Sequence, residues 1–107
     1  MNDKRKGTAL VTGAAKRIGR AIALELADDG WDLALHFATS RDDADKLASE
    51  IRAQGRNAVA VGADLRNEVE VNALVPLAVE AIGAIDCLIN NASTFERDTV
   101  ATSTRET

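Results

Sequence analysis

Four short apolar runs alternate with three amphipathic stretches and hardly any linker between them, and that alternation restricts the chain to one kind of fold. The runs are residues 8–12, 33–37, 58–61 and 85–90. Each has strand length, and most read as continuous apolar stretches, the pattern of strands covered on both faces of a parallel sheet. Between the first two, Ile18, Ala21, Ile22 and Leu26 recur at helical spacing up to Asp29, and Gly30 supplies a left-handed C-cap. Ser40 followed by Asp43 resembles a capping box, and Ala44, Leu47, Ala48 and Ile51 continue one apolar face until Gly55. Asn67 and Glu70 repeat that start before Val71, Leu74, Ala78, Ala81 and Ile82. Pro76 lies inside the third pattern and is expected to kink the helix or to restart it.

The order β-α-β-α-β-α-β predicts the α/β class: a Rossmann-type doubly wound parallel sheet with right-handed crossovers and strand order 3-2-1-4. At about 30 residues per βα unit, six strands need at least about 180 residues. The 107 residues present stop after four. The expectation is therefore a truncated sheet whose fourth strand is an edge, followed by a polar tail from about Ser93.

Charge and cysteine usage exclude several function classes. Thirteen Lys and Arg against 17 Asp and Glu give a net charge of −4, scattered over the helices, so no nucleic-acid partner is expected. No apolar run reaches 18 residues, and Met1 to Lys6 lacks the apolar core of a secretory signal, which predicts a cytoplasmic protein without a membrane partner. Cys87 is the single cysteine, so no internal disulfide or zinc site is expected.

The segment T-G-A-A-K-R-I-G, Thr12 to Gly19, directly follows the first strand and opens the first helix. Gly13 permits a tight turn and close backbone approach, the helix points unpaired amides and its positive end at an anion, and Gly19 lets helix and strand pack closely. A glycine-assisted turn without a ligand remains the alternative. The spacing is neither G-x-G-x-x-G nor a Walker loop.

The segment resembles the T-G-x-x-x-G-x-G fingerprint of the short-chain dehydrogenase/reductases. Asp64-Leu65 after the third strand and N-N-A-S, Asn90 to Ser93, after the fourth stand where that family has an adenine-contacting aspartate and an N-N-A-G turn. The resemblance covers essentially the whole chain but only about the first two fifths of a family member of roughly 250 residues. It makes 1–107 the amino-terminal part of a single dinucleotide-binding domain. Arg17 replaces the middle glycine, a variant similar to the pteridine reductase branch, where a guanidinium would reach a cofactor phosphate and the substrate pocket.

The resemblance implies a dinucleotide, and the residues after the second strand indicate which one. NAD sites carry an acidic residue about 20 residues past the glycine turn. This chain has His36-Phe37-Ala38-Thr39-Ser40-Arg41 there, and Lys16, Arg17, Ser40 and Arg41 could converge on a 2′-phosphate, which favours NADPH. Ser40 as a mere cap, Arg41 as a solvated cation and His36 as a satisfied structural residue are the alternatives. The expected cofactor-binding set is Gly13, Lys16, Arg17, Ile18, Gly19, His36, Ser40, Arg41, Asp64, Leu65, Asn90, Asn91 and Ala92, with Arg17 and Phe95 turned to a pterin or another flat substrate.

The family implied by the resemblance transfers hydride to a carbonyl or imine of a small molecule, with a Tyr-x-x-x-Lys pair supplying the proton. The sequence has no tyrosine, and Lys16 or Lys46 alone lacks the phenol whose pKa it would lower, so this chain by itself is expected to be inactive. Two readings stay open: the NADPH-binding portion of a reductase, homo-oligomeric at full length, or a noncatalytic dinucleotide-binding or interaction fragment.

Overall fold

A computed structural model of the chain describes residues 5–15 and 17–91. The elements are β1 (Gly7–Val11), α1 (Arg17–Asp28), β2 (Trp31–Phe37), α2 (Arg41–Ala53), β3 (Ala58–Gly62), α3 (Glu68–Ile82) and β4 (Cys87–Ile89). The four strands form one parallel sheet in the order β3-β2-β1-β4, as the sequence predicts. Leu10 sits in register between Ala34 and Leu88, and Leu35 between Val11 and Ala60.

Strand alternation divides the core into two layers. Ala9, Val11, Leu33 and Leu35 face α1 and α2, burying Leu47, Ala48 and Ile51 against them, whereas Leu10, Ala34 and Val61 face Leu74 and Ala78 of α3. Strands β1, β2 and β3 thus each have a buried side chain on both faces, and β4 is half-buried on both, which is why these sequences are continuous apolar runs.

The buried stripe of α1 differs from the expected one. Gly19, Ala23 and Ala27 are buried, while Ile18 is 67% exposed and Ile22 and Leu26 are half-buried at the flanks. Small residues at i, i+4 and i+8 let the helix axis approach the sheet, and the branched side chains then straddle the contact instead of filling it.

Caps and bounds bring further differences. Ser40 occupies the N-cap of α2 without a side-chain capping bond; its backbone carbonyl accepts from Ala44 N–H at 3.0 Å. Asn67 does cap α3, accepting from the amides of Val69 and Glu70, but Glu70 turns away and accepts from Asp64 N–H at 2.7 Å. The helix runs through Pro76 unbroken. Pro76 is exposed, so the Asn72 carbonyl that loses its helical donor faces solvent. Strand β2 starts at Trp31, two residues before the apolar run, because Trp31 and Asp32 pair in register with Gly7 and Thr8 of β1. Strand β4 is shorter than its run: Asp86 instead brackets Thr8, its carboxylate accepting the Thr8 N–H at 3.0 Å and its own N–H donating to the Thr8 carbonyl at 2.8 Å.

Candidate functional site

The carboxyl-terminal ends of the strands converge on Gly13. Its φ of 62° lies in the left-handed region, which glycine enters at no steric cost, so the chain can leave β1 and turn at once toward α1. Both backbone groups of Gly13 are held. The N–H donates to His36 Nδ1 at the end of β2 (3.0 Å), and the carbonyl accepts from Asn91 Nδ2 beyond β4 (3.1 Å). Ala14 N–H donates to the His36 carbonyl at 3.0 Å. At the opposite edge of the ring His36 Nε2 meets the Ala63 carbonyl at 2.8 Å, just past the end of β3.

Thr12 fastens the same turn to β4. Its hydroxyl donates to Asn90 Oδ1 at 3.0 Å and accepts from Asn91 N–H at 2.9 Å, and its backbone N–H donates to the Ile89 carbonyl at 3.0 Å. Gly19 closes the turn from the helix side. A Cβ there would lie 2.1 Å from the Gly13 carbonyl oxygen, 2.7 Å from Asn91 Nδ2 and 2.9 Å from Ala14 Cα. Glycine at this position is a packing requirement.

Arg17, the first residue of α1, has φ 42° and is the one non-glycine residue with positive φ among the described residues. An L-residue in that region costs roughly 1–2 kcal/mol, and such outliers concentrate where backbone is held for a ligand. Glycine would relieve the strain but lose about 0.5–1 kcal/mol through extra freedom in the unfolded chain. Arg17→Gly is therefore expected to leave the urea midpoint unchanged or to raise stability by about 1 kcal/mol. A clear loss of stability would show that contacts of the arginine hold the conformation.

Beside the turn runs a groove of about 170 Å³ lined by Gly13, Ala15, Phe37, Ala38, Thr39 and Ser40. Arg41 stands at its edge with the guanidinium carbon 5.3 Å from the Phe37 ring centroid, a cation–π contact. A neighbouring cleft of about 360 Å³ between α1 and α2 is lined in part by Arg17, Arg20 and Lys46, and there Arg20 is held by both oxygens of Glu50 at 2.7 and 2.8 Å. A larger groove of about 700 Å³, with Lys6, Gly30 and Arg56 among its walls, lies at the opposite, amino-terminal end of the strands. Ligands of open α/β sheets bind at the carboxyl ends, which assigns the smaller groove to the site.

Of the residues expected from the sequence, Gly13, Gly19, His36 and Asn91 are in direct contact, and Ser40 shares the groove with Gly13. Ile18 is exposed at the start of α1, and Arg17 lines the adjoining cleft. Asp64 and Leu65 follow β3; the Asp64 carboxylate accepts from Arg66 N–H at 2.9 Å and from its guanidinium, and these bonds hold its pKa below the usual value. It is thus fully ionised at neutral pH and turned toward Arg66. Asn90 bonds Thr12. His36 is 1% exposed, with both ring nitrogens engaged by protein. Lys16, Ala92 and Phe95 lie outside the described residues.

Thr12 and Ala63 were not singled out by sequence reasoning. The sole signal for Thr12 is a hydroxyl residue between an apolar strand and a glycine, and for Ala63 there is none, since it contributes only its carbonyl. Among the described residues no helix is long and apolar enough to cross a membrane.

Comparison with known proteins agrees with this geometry. The family model for short chain dehydrogenase matches residues 7–107. The chain is 41% identical over 85 residues to the 3-oxoacyl-[acyl-carrier-protein] reductase FabG of Staphylococcus aureus, covering 79% of this chain and 35% of that protein. Among solved structures it is similar to the FolM alternative dihydrofolate reductase 1 from Brucella canis complexed with NADP, at TM-score 0.78 and 43% identity, over 85% of this chain and 36% of the other. It is similar as well to a short chain dehydrogenase from Burkholderia cenocepacia in complex with NADP, at TM-score 0.80 and 41% identity, over 89% of this chain and 39% of the other. The chain therefore spans little more than a third of the length of these relatives. With its parallel 3-2-1-4 sheet, its glycine turn at the carboxyl ends of the strands and a family match over nearly its whole length, the chain belongs to the short-chain dehydrogenase/reductase family.

Proposed function

We propose that residues 1–107 are the amino-terminal, cofactor-holding part of a single dinucleotide-binding domain in an NADP(H)-dependent reductase. The observation that carries this reading is the clamped glycine turn, whose Gly13 backbone is held on both sides and whose Gly19 leaves no room for a side chain. A turn fixed to that degree presents the start of α1, with its unpaired amides and positive end, to an anion without reorganising. Arg17, Ile18 and Gly19 would receive the pyrophosphate there, and Lys16 would join Arg17, Ser40 and Arg41 at the 2′-phosphate. The groove between Gly13 and Ser40 would take the adenosine ribose, and Ser40 and Arg41 its 2′-phosphate. Asp64 and Leu65 would border the adenine, and Asn90, Asn91 and Ala92 the floor on the nicotinamide side.

No carboxylate stands between His36 and Arg41 to hold a free 2′-hydroxyl, and a guanidinium stands at the groove edge instead, which supports NADP(H) over NAD(H). NADP in the solved relatives supports the same choice. When bound, the reduced nicotinamide supplies a hydride to a carbonyl or imine. With no tyrosine in the sequence, the 107 residues hold no phenol to deliver the accompanying proton, so binding without turnover is the expected behaviour of this chain. Likeness to a protein named as a dihydrofolate reductase supports a flat, pterin-like substrate, with Arg17 and Phe95 at its pocket. The reading includes a cytoplasmic location and homo-oligomeric assembly at full length.

Fluorescence titration with NADPH and with NADH tests the proposal. Saturable NADPH binding, at least roughly tenfold tighter than NADH, is expected, since a charge-assisted bond to the 2′-phosphate contributes about 1.5–3 kcal/mol. No binding of either cofactor would make the chain a noncatalytic interaction fragment, and NADPH oxidation by this chain alone would overturn its assignment as inactive.

A further inference from the structure

We propose that His36 is a positioning residue for the cofactor turn: its neutral imidazole fastens Gly13 to the end of β3, and gain of a proton releases the turn. The inference rests on the dinucleotide reading of the site. It differs from it in keeping the ring out of contact with cofactor and in giving the site a pH dependence of its own.

The hydrogen bonds fix the tautomer. The Gly13 N–H can only donate, so Nδ1 must accept and carry no proton; the Ala63 carbonyl can only accept, so Nε2 must carry the hydrogen. The ring spans two segments on which the site depends, the phosphate-side turn at Gly13 and the β3 turn that leads into Asp64 and Leu65. No other side chain among the described residues bonds both. A second proton would have to go on Nδ1, where it would point at the Gly13 N–H, a donor against a donor in a site that is 1% exposed.

The surroundings oppose that proton. Burial, the larger effect, lowers the His36 pKa, and the Ala63 carbonyl partly restores it. The charged groups on the elements around the ring are engaged or exposed. Asp32, at the far end of β2, pairs with Arg5 and accepts from Asn57 N–H. Asp64 after β3 is turned to Arg66, Arg17 at the head of α1 is exposed, and Glu68, Glu70 and Glu80 of α3 are exposed, with Glu70 bonded to Asp64 N–H. A folded-state pKa below the unfolded value means that the unfolded chain takes up the proton first. Stability is then intact above about pH 6.5 and falls as pH drops from there toward the lower folded-state pKa.

Two substitutions separate the ring's two bonds. In His36→Asn the side-chain oxygen occupies the place of Nδ1, keeping an acceptor for Gly13 and losing the bond to Ala63. In His36→Gln the amide nitrogen occupies the place of Nε2, keeping the donor to Ala63 and losing the acceptor for Gly13. NADP⁺ affinity at pH 7.5, read by calorimetry, is expected to stay within about threefold of the parent in the asparagine variant and to fall roughly tenfold or more in the glutamine variant, the size of one lost hydrogen bond to a buried donor. A purely structural role would weaken both in proportion to their loss of urea stability.

As pH falls from 7.5 through the folded-state pKa of His36, the ratio of parent to asparagine-variant affinity is expected to fall, the cofactor's own 2′-phosphate titrating equally in both. Because His36 is the chain's one histidine, its ¹⁵N resonances report the tautomer directly, with Nδ1 unprotonated and Nε2 protonated. Equal losses in both variants, a pH-independent ratio or the opposite tautomer would each overturn the proposal while leaving the cofactor reading intact. Failure of the parent chain to bind NADP⁺ at all would overturn both.

Discussion

Replacing Gly19 by alanine is expected to destabilise the protein by about 3 kcal/mol or more and to abolish NADPH binding. Overpacking a filled site ordinarily costs about 1–3 kcal/mol because neighbours give way. Here the added methyl meets the Gly13 carbonyl oxygen at 2.1 Å and Ala14 Cα at 2.9 Å, both backbone, and the third neighbour is the Asn91 amide nitrogen that bonds the same carbonyl. His36 and Asn91 hold Gly13 in place from either side, so relief requires breaking at least one of these bonds or lifting α1 off the sheet. Either outcome misplaces the amides at the head of α1. Gly55→Ala is the matching control: its Cβ meets nothing within 4 Å, and only the φ of 95° is strained, so a loss of about 1 kcal/mol with unaltered NADPH affinity is expected. Urea unfolding followed through Trp31 and an NADPH titration measure both. A Gly19→Ala protein with the parental midpoint and affinity would show that the turn is not closed from the helix side.

Arg41→Asp is expected to reverse the preference for NADPH over NADH. Removal of a guanidinium from the 2′-phosphate forfeits about 1.5–3 kcal/mol, and the new carboxylate both repels that phosphate and accepts from a free 2′-hydroxyl. Together these should change the ratio of the two dissociation constants by roughly 100-fold, or about 3 kcal/mol. Arg41 is exposed at the first position of α2 and stacks only on Phe37, so the fold should tolerate the change. An unaltered ratio in parallel titrations would remove Arg41 from the 2′-phosphate site and leave the neighbouring cleft with Arg17 and Lys46 as the place to look.

The helix faces show where reading the chain alone falls short. The 13 residues of α2 bury the four positions that its periodicity marks, Ala44, Leu47, Ala48 and Ile51, because charged residues surround them and leave one apolar stripe. In α1, apolar residues occur on more than one side, and bulk favours Ile18 and Ile22 over Gly19 and Ala23. The sheet decides otherwise because close approach at the glycine turn leaves room only for small residues. In α3 the helix is apolar nearly all round, so that Val71, Val75, Leu77 and Val79 remain 40–45% exposed while Leu74 and Ala78 are buried. Periodicity cannot choose a face where several would serve.

Alternating apolar runs and helical stretches, together with glycines at 13 and 19, determined a parallel sheet in the order 3-2-1-4 with an anion-facing turn after the first strand, because local periodicity and backbone permissiveness are properties of neighbouring residues. Tertiary structure alone decided what holds that turn. His36, Asn91 and the Ala63 carbonyl stand 23, 78 and 50 positions from Gly13 along the chain, and only the parallel register of four strands brings their ends to one place. The spacing of residues in sequence specifies which backbone groups are left without partners at the turn. Which side chains arrive to meet them depends on the sheet.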